Sequence, residues 1–366
     1  MQNHFLSQIL EVTGFVVVLL IMGLVAWFFL RPGPYDIPRA DWKVYKRAFI
    51  HSSGRVVDTG NGNASHSEGQ GYGMLFAVAF KDRSTFDKIW KWTREHLQTR
   101  EEDKLLSWAW KPADKDVPEG VSDPNNASDG DLLVAWALLR AHELWGAYAY
   151  KQAAAQILSD LKKQDVIDFH GKKILLPGTY GFREKEGKVT VNPSYYVFPA
   201  LTAAHRAFPS AGWNTVIEDG VALIKEAQFG SFHLSPDWLE IGESPLISPD
   251  FPPDFGYNAV RIPLHIAWDH LPPALLTPFA EFWKPRLSSM PSTVNLETDV
   301  FGQDPALPGM QAIAQFTIAS FGGIPLQMSK VSALDLHENY FSASLKLLTK
   351  LAIHDRHKAS VHASTQ

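Results

Sequence analysis

Two carboxylates in this sequence stand directly before apolar segments. Glu68 lies among three closely spaced glycines ahead of the apolar residues 75–80, and Asp129 stands ahead of the apolar residues 132–139. An acidic or polar residue followed by an apolar run is typical of a helix start. The small residues let the backbone pack closely and leave the Glu68 carboxyl group accessible. Two carboxylates at two helix starts predict general acid–base chemistry.

Hydrolysis of a glycosidic bond uses such a pair. One carboxylic acid protonates the leaving oxygen and, in an inverting enzyme, a second carboxylate roughly 6.5–9.5 Å away activates water. Glu68 suits the acid, but a helix start favours its charged form. Burial or the like charge of Asp129 would have to keep it protonated. The alternatives are a first-turn carboxylate that complements the helix dipole for Glu68 and a plain N-cap for Asp129.

The composition limits the functional class. The chain has 366 residues, of which 45% are hydrophobic and 20% charged, as in a globular protein with a sizeable core. Its net charge of −5 argues against a nucleic-acid binder. The absence of cysteine excludes disulfides and thiol catalysis. Tryptophan is plentiful, and although most aromatic residues serve the core, flat rings in a groove stack on sugars.

The first 31 residues predict a membrane segment. Residues 14–30 are uninterruptedly apolar, and about 17–25 such residues span a bilayer as a helix. A cleaved signal peptide would begin with basic residues and end at small ones. Residues 1–12 contain neither Lys nor Arg, and residues 28–32 at the end of the run include no small residue. We therefore expect an uncleaved transmembrane or signal-anchor helix at 13–31, with a secreted, cleaved form as the alternative.

The charges beside this segment conflict with the expected compartment. Five basic residues lie between positions 31 and 47. Because Lys and Arg accumulate on the cytoplasmic side, they indicate a cytoplasmic domain. A polysaccharide substrate instead favours an inner-membrane anchor with the catalytic domain in the periplasm, which is our expectation. The sequence leaves this conflict open.

The remaining chain predicts an all-α domain. Residues 32–40 resemble a linker, 41–352 form the globular part, and 353–366 lack an apolar pattern and are expected to be disordered. Apolar residues recur at helical spacing in ten segments, which are 74–81, 86–97, 131–146, 149–162, 195–207, 215–227, 259–269, 274–285, 309–320 and 338–351. Clusters of Gly, Pro and Asn separate them.

Two motifs resemble the signatures of glycoside hydrolase family 8. They are HSEGQGYGM at 66–74 and ASDGDL at 127–132. Further matches follow in the family's order, namely SWAW at 107–110, LPG at 176–178, NPSY at 192–195, SPDW at 235–238, AVRI at 259–262 and YF at 340–341 with Leu345. The resemblance covers nearly all of the globular part.

This resemblance implies an (α/α)6 barrel, in which six outer helices surround six inner ones and a cleft crosses one end. It implies that Glu68 is the general acid and that Asp129 holds the distorted sugar ring. The implied mechanism is inversion without a covalent intermediate. The residues expected to bind substrate, or to buttress the acidic centre, are Trp108, Trp110, Tyr195, Trp238, Asn258, Arg261 and Tyr340.

One position departs from the family pattern. Many members carry the catalytic base, an aspartate, where this chain has Asn258, and a neutral amide cannot accept a proton from water in the usual way. We expect a displaced base in the segment 237–254. Asp254 and Asp250 are the nearest candidates, with Glu243 and Asp237 further back. Loop solvation of Asp250 and Asp254, Asp129 as the base, and an inactive protein that still binds glucan are the alternatives.

The resemblance implies an inverting endo-β-1,4-glucanase (a cellulase) that acts on cellulose-like β-glucan. It further implies trimming of glucan during bacterial cellulose synthesis, with the synthase machinery as a possible partner. A chitosanase, a xylanase or a mixed-linkage glucanase of the same fold, or a glucan-binding accessory protein, are the alternatives. Neither a cofactor nor a metal is expected, because phosphate-loop and zinc-protease motifs are missing and the tail histidines suit solvation better than metal binding.

Overall fold

A computed structural model describes residues 33–364, apart from 116 and 184–186, together with the isolated positions 13, 15 and 22. The predicted membrane segment at 13–31 lies outside the described residues except at those three positions. Within the described part, no helix is both long enough and apolar enough to cross a bilayer.

Helices dominate residues 33–364. Eleven α-helices are described there, which are α1 Arg39–Phe49, α2 Ser67–Ala79, α3 Arg83–His96, α4 Ser128–Trp145, α5 Tyr148–Asp165, α6 Phe198–Ala207, α7 Trp213–Glu226, α8 Arg261–Trp268, α9 Thr277–Trp283, α10 Pro308–Phe321 and α11 Tyr340–Ser364. Ten of them overlap the ten helical segments expected from apolar periodicity. The helix α1 was not expected, although Trp42, Tyr45 and Phe49 form its buried face at helical spacing.

Six of these helices form the inner wall of a barrel. Each of α2, α4, α6, α8, α10 and α11 contacts the next, and α11 closes the ring against α2. Inner helices such as α4 are apolar around most of their circumference, which is typical of a helix buried on all sides. Among the described residues, α1, α3, α5, α7 and α9 pack outside α11, α2, α4, α6 and α10 respectively. This double layer agrees with the barrel that the resemblance implies, except that five and not six outer α-helices are found among the described residues.

The inner helices run in the same direction. At one end, the backbone N–H of Gly309 near the start of α10 donates to Ser342 Oγ near the start of α11 at 2.9 Å. At the other end, Arg140 late in α4 and Trp268 at the end of α8 both bind Asp355 late in α11. Parallel helices place their positively polarised N-termini at one end of the ring. That end is where Glu68, Asp129 and Arg261 begin their helices.

Short antiparallel strands modify the all-α expectation. They form four small sheets in the connections, made of β1 Ser65–His66, β2 Ser107–Lys111 and β3 Gly120–Asn126; β4 Val166–Phe169 and β5 Lys172–Leu175; β6 Val189–Val191, β7 Leu239–Ile241 and β8 Pro245–Ile247; and β9 Asp254–Phe255 with β10 Val294–Asn295. Most contain two to five residues, too few for an alternating pattern to stand out from a loop. The first sheet leads directly into α2, since β1 ends one residue before that helix.

The carboxyl end differs from the expected disordered tail at 353–366. Helix α11 continues to Ser364. Asp355 accepts hydrogen bonds from Arg140 at 2.7 Å and from the Trp268 indole at 3.1 Å, so the polar last turns are anchored to the barrel. Nearer the middle of α11, the buried Lys350 pairs with Asp41 of α1 at 2.5 Å. These partners lie far away in the sequence, and the local polar composition therefore gives no indication of them.

Candidate active site

Glycines bring the starts of α2 and α4 together. A Cβ on Gly71 would lie 2.6 Å from the Leu133 Cβ, and one on Gly130 would overlap Ser67. Only glycine therefore permits this approach of the two backbones. The His66 side chain caps α2 by accepting the N–H of Gly69 at 3.1 Å.

The result is a cluster of two carboxylates and one guanidinium. Arg261 Nη1 donates a hydrogen bond to Glu68 Oε2 and lies 3.7 Å from Asp129 Oδ2. The side chains of Arg261 and Asp129 are almost fully buried, whereas that of Glu68 retains 17% exposure. Glu68 is thus the member of this charged cluster that a substrate can reach most easily.

The two carboxylates share a proton unequally. Burial raises the pKa of Asp129, and the charge of Glu68 raises it further, well above the usual range of an aspartic acid. Burial also raises the pKa of Glu68, but Arg261, His66 and hydrogen bonds from Asp129 and Arg261 outweigh this and lower it. In this geometry the proton therefore rests on the Asp129 side. This is the reverse of the expectation that Asp129 keeps Glu68 neutral, because the guanidinium binds Glu68 directly.

Arg261 also binds three side chains besides the two carboxylates. Its Nη1 donates to Tyr72 Oη at 3.2 Å. Its Nη2 donates to Ser194 Oγ at 3.2 Å and to Asn258 Oδ1 at 2.9 Å. The guanidinium therefore lies between Glu68 and Asn258, with one terminal nitrogen directed at each.

A third carboxylate lies next to Asn258. Asp237 Oδ1 accepts the backbone N–H groups of Gly256 and Asn258, each at 3.1 Å, and that of Ala259 at 2.7 Å. Burial raises the pKa of Asp237 to about 6, although these three N–H groups and Arg261 act to lower it. Asp237 thus caps the turn that leads into α8.

The two acids favoured from the sequence as bases are placed differently. Asp254 contributes its backbone carbonyl to the Asp237 N–H at 2.7 Å, and burial raises the pKa of its side chain. Asp250 is exposed in a turn. Among the described hydrogen bonds and ion pairs, none joins either side chain to Glu68, Asp129 or Arg261.

The family model of glycosyl hydrolases family 8 matches residues 19–355. The chain belongs to this family. A probable endoglucanase of Novacetimonas hansenii is 39% identical over 330 residues, which are 88% of this chain and 93% of that protein. An endoglucanase of Cellulomonas uda is 36% identical over 304 residues, covering 81% of this chain and 82% of the relative.

Solved structures of family 8 members agree with this assignment. Endoglucanase Cel10 of Klebsiella pneumoniae superposes with a TM-score of 0.80 at 37% identity, over 86% of this chain and 99% of the other. The endo-β-1,4-glucanase CMCax of Acetobacter xylinum gives a TM-score of 0.80 at 37% identity, over 87% of this chain and 98% of that one. This chain is therefore a glycoside hydrolase.

The two tryptophans expected in the cleft of this family 8 hydrolase differ in exposure. Trp108 is 41% exposed, whereas Trp110 is 7% exposed and packs against Trp92 and beneath Arg55. Residues two apart on a regular strand share a face, but irregular pairing of β2 with β3 around Ala109 turns them apart. Trp108 is thus the residue of the pair that offers a free ring face.

The other three aromatic residues predicted for the site differ in burial and in the residues that they contact. Trp238 is partly exposed and stacks on Phe251 with ring centroids 4.2 Å apart. Tyr195 lies 6.2 Å from Trp238. Burial raises the pKa of Tyr195, and the charge of Asp129 raises it further. Tyr340 is instead buried against His66 and Gly69, so its role is to support the start of α2.

Several residues of the site escaped prediction from the sequence. Tyr72 follows Glu68 by four residues and therefore shares its helix face, which is a usable signal. Ser194 lies within the NPSY motif but its contact with Arg261 spans 67 positions. The sequence offers Asp237 only as the most distant candidate for the base. Its contact with Asn258 depends on how the loop closes, which no local pattern reports.

Proposed function

We propose that the protein is an inverting endo-β-1,4-glucanase that cuts internal bonds of a cellulose-like β-glucan. The observation that carries the proposal is the cluster of Glu68, Asp129 and Arg261 at the N-terminal end of six parallel inner helices. Family membership and endoglucanase relatives support the substrate class.

The proposed chemistry uses this geometry. The carboxylate pair holds one proton, and Glu68, its exposed member, delivers that proton to the glycosidic oxygen as the bond to the anomeric carbon breaks. Arg261 fixes Glu68 in place and stabilises the carboxylate that remains. Water attacks the anomeric carbon from the opposite face and gives its own proton to a base. The product has the inverted anomeric configuration and no glycosyl–enzyme bond forms.

The test measures both cleavage and its stereochemistry. The purified protein should release reducing ends from carboxymethyl cellulose and lower its viscosity early, as internal cleavage requires. Proton NMR of short cello-oligosaccharides should show the α-anomer first. Chitosan, xylan and mixed-linkage β-glucan serve as competing substrates, and a higher kcat/KM on any of them would replace the β-1,4-glucan assignment. Wild-type turnover no higher than that of Glu68→Gln would instead indicate a glucan-binding accessory, a role that Asn258 makes worth testing.

For location, we propose an inner-membrane anchor at 13–31 with the catalytic domain in the periplasm, where it trims glucan beside the synthase. The apolar run at 14–30 supports the anchor, and the polysaccharide substrate supports the compartment. Protease digestion of spheroplasts should remove the domain from the membrane fraction. Protection from the protease would indicate a cytoplasmic domain, and recovery in the medium would indicate a cleaved, secreted form. Co-purification with the synthase from detergent extracts tests the partner.

A further inference from the structure

We propose that Asp237 is the general base of this enzyme and that it takes the place of the aspartate that Asn258 replaces. The inference rests on the proposed function, because it names the proton acceptor for the same inverting reaction.

Arg261 separates Glu68 from the side chain of Asn258, the position where many family members carry the base. Its two terminal nitrogens bind Glu68 and Asn258 Oδ1, so the guanidinium lies between these two side chains with a hydrogen bond on each side. An inverting enzyme separates its two carboxyl groups by roughly 6.5–9.5 Å, which leaves room for the attacking water. The side of the cluster at Asn258 is therefore where a base has to act.

Asp237 is the carboxylate that binds the backbone on the Asn258 side of the cluster. It accepts the backbone N–H of Asn258, and its three N–H bonds all go to Oδ1. Among the described residues, Oδ2 accepts no hydrogen bond. Gly256 leaves this second oxygen uncovered, since a Cβ there would lie 3.2 Å from it. One oxygen thus fixes the side chain, while the other has no hydrogen-bond partner among the described residues.

The other acids are less suitable. The pKa of Asp129 is raised well above its usual range, so Asp129 holds a proton when a base must be ionised. Asp254 reaches this region through its main chain, and Asp250 is exposed in a turn. The charge of Arg261 acts to lower the pKa of Asp237, although burial outweighs it.

The step balances as a single displacement. Water donates one proton to Asp237 Oδ2 while its oxygen forms the new bond to the anomeric carbon. The glycosidic bond breaks with its electron pair on the leaving oxygen, which takes the proton from Glu68. Asp237 then releases its proton to solvent and the carboxylate pair regains one. A base with a pKa of about 6 is ionised at neutral pH. The charged group that acts on Asp237 is Arg261 of α8. From β9, the backbone carbonyl of Asp254 accepts the Asp237 N–H.

The first test is Asp237→Asn, compared with wild type and with Glu68→Gln. The amide oxygen still accepts the three backbone N–H groups, so the turn before α8 is preserved. The variant should lose roughly 10²–10⁴-fold in kcat. Its KM for cello-oligosaccharides should stay within about threefold, and the acid limb of the wild-type pH profile, with a midpoint near 6, should disappear.

A second readout separates catalysis from structural support. Asp237→Ala assayed with sodium azide should form the α-glucosyl azide from a β-linked oligosaccharide, because azide needs no base to attack from the water's side. Adding Asn258→Asp to Asp237→Asn should restore part of kcat, since a carboxylate then returns to the same side of Arg261.

The outcomes distinguish this inference from the proposed function. Near-wild-type kcat in Asp237→Asn, with activity abolished in Glu68→Gln, would overturn Asp237 as base and leave the endoglucanase intact. A large loss of kcat with neither azide adduct nor rescue by Asn258→Asp would overturn it too, and would make Asp237 a cap of α8. A wild-type protein that fails to cleave β-glucan would overturn both.

Discussion

The charged side chains at the two ends of the inner ring differ in how completely they are paired. At the N-terminal end, Glu68 and Asp129 share one proton beside Arg261, and the buried hydroxyls of Ser67 and Ser128 find no hydrogen-bond partner among the described residues. At the C-terminal end, Asp355 is bound by Arg140 and by the Trp268 indole. At the N-terminal end two carboxylates therefore depend on one guanidinium, whereas at the C-terminal end the carboxylate of Asp355 has its own donors.

The helix dipoles explain part of this difference. Parallel helices offer positive potential at their N-termini, which favours anions there and cations at the opposite end. A single guanidinium nevertheless cannot compensate two negative charges in a buried site, so one of the two carboxylic acids keeps its proton. Buried, incompletely paired groups are costly for the folded state and useful for proton transfer. Changes at the two ends should therefore separate activity from stability.

The largest effect is expected from Glu68→Gln at the N-terminal end. The amide cannot donate an acidic proton to the leaving oxygen, so kcat should fall roughly 10⁴-fold. The melting temperature should not fall, because the substitution removes a charge from a crowded site. Steady-state kinetics and calorimetry on the same preparation test both statements. A drop in melting temperature with kcat reduced only tenfold would contradict the division between the ends.

Lys350→Met should show the opposite behaviour. Lys350 and Asp41 form a buried ion pair between α11 and α1, away from the carboxylates. Removing one partner leaves an uncompensated buried charge, so the free energy of unfolding should fall by about 3–5 kcal/mol. At a temperature where the variant is folded, kcat should stay within about twofold of wild type. The double variant with Asp41→Leu should recover much of the stability, and failure to recover it would show that the pair is not the cause.

Asp129→Asn sharpens the comparison through pH. Because the raised pKa of Asp129 keeps a proton in the pair at neutral pH, its loss leaves the proton to Glu68, whose pKa is lowered. The alkaline limb of kcat/KM should therefore move to lower pH, with activity at neutral pH reduced roughly 10²-fold. Asp131→Asn is the matched control, since Asp131 lies on the same helix but binds Leu106 and Asn126. An unchanged alkaline limb in Asp129→Asn would show that Asp129 does not hold the proton.

The features of the site that the sequence predicts are those that depend on residues close together in the chain. Helix-start residues and closely spaced glycines predict correctly that Glu68 and Asp129 lie in the first turns of two helices, and apolar periodicity predicts ten of the helices. The order of the two pKa values could not be predicted, because it depends on Arg261, which is 193 positions from Glu68. The exposure of Trp108 relative to Trp110 depends on irregular strand pairing that the alternating sequence conceals.

The C-terminal end shows the same limit. The polar residues after position 353 carry no apolar stripe, yet they remain helical because Asp355 meets Arg140, 215 positions away. Composition alone predicts disorder wherever a helix is held by a few long-range polar contacts rather than by a buried face.

Asp355→Asn should have the smallest effect on stability and activity. It tests whether a change at the C-terminal end stays local. Both side chains of the Arg140–Asp355 pair are about one-fifth exposed, with values of 20% and 22%. Solvent screens such a pair, so its loss should lower the free energy of unfolding by roughly 0.5–1 kcal/mol. The kcat on β-glucan should not change, because no carboxylate of the N-terminal end is touched. Hydrogen exchange should become faster in the last three turns of α11 and nowhere near Glu68. Faster exchange at α2 would mean that the two ends are coupled through the ring, and the division between them would then fail.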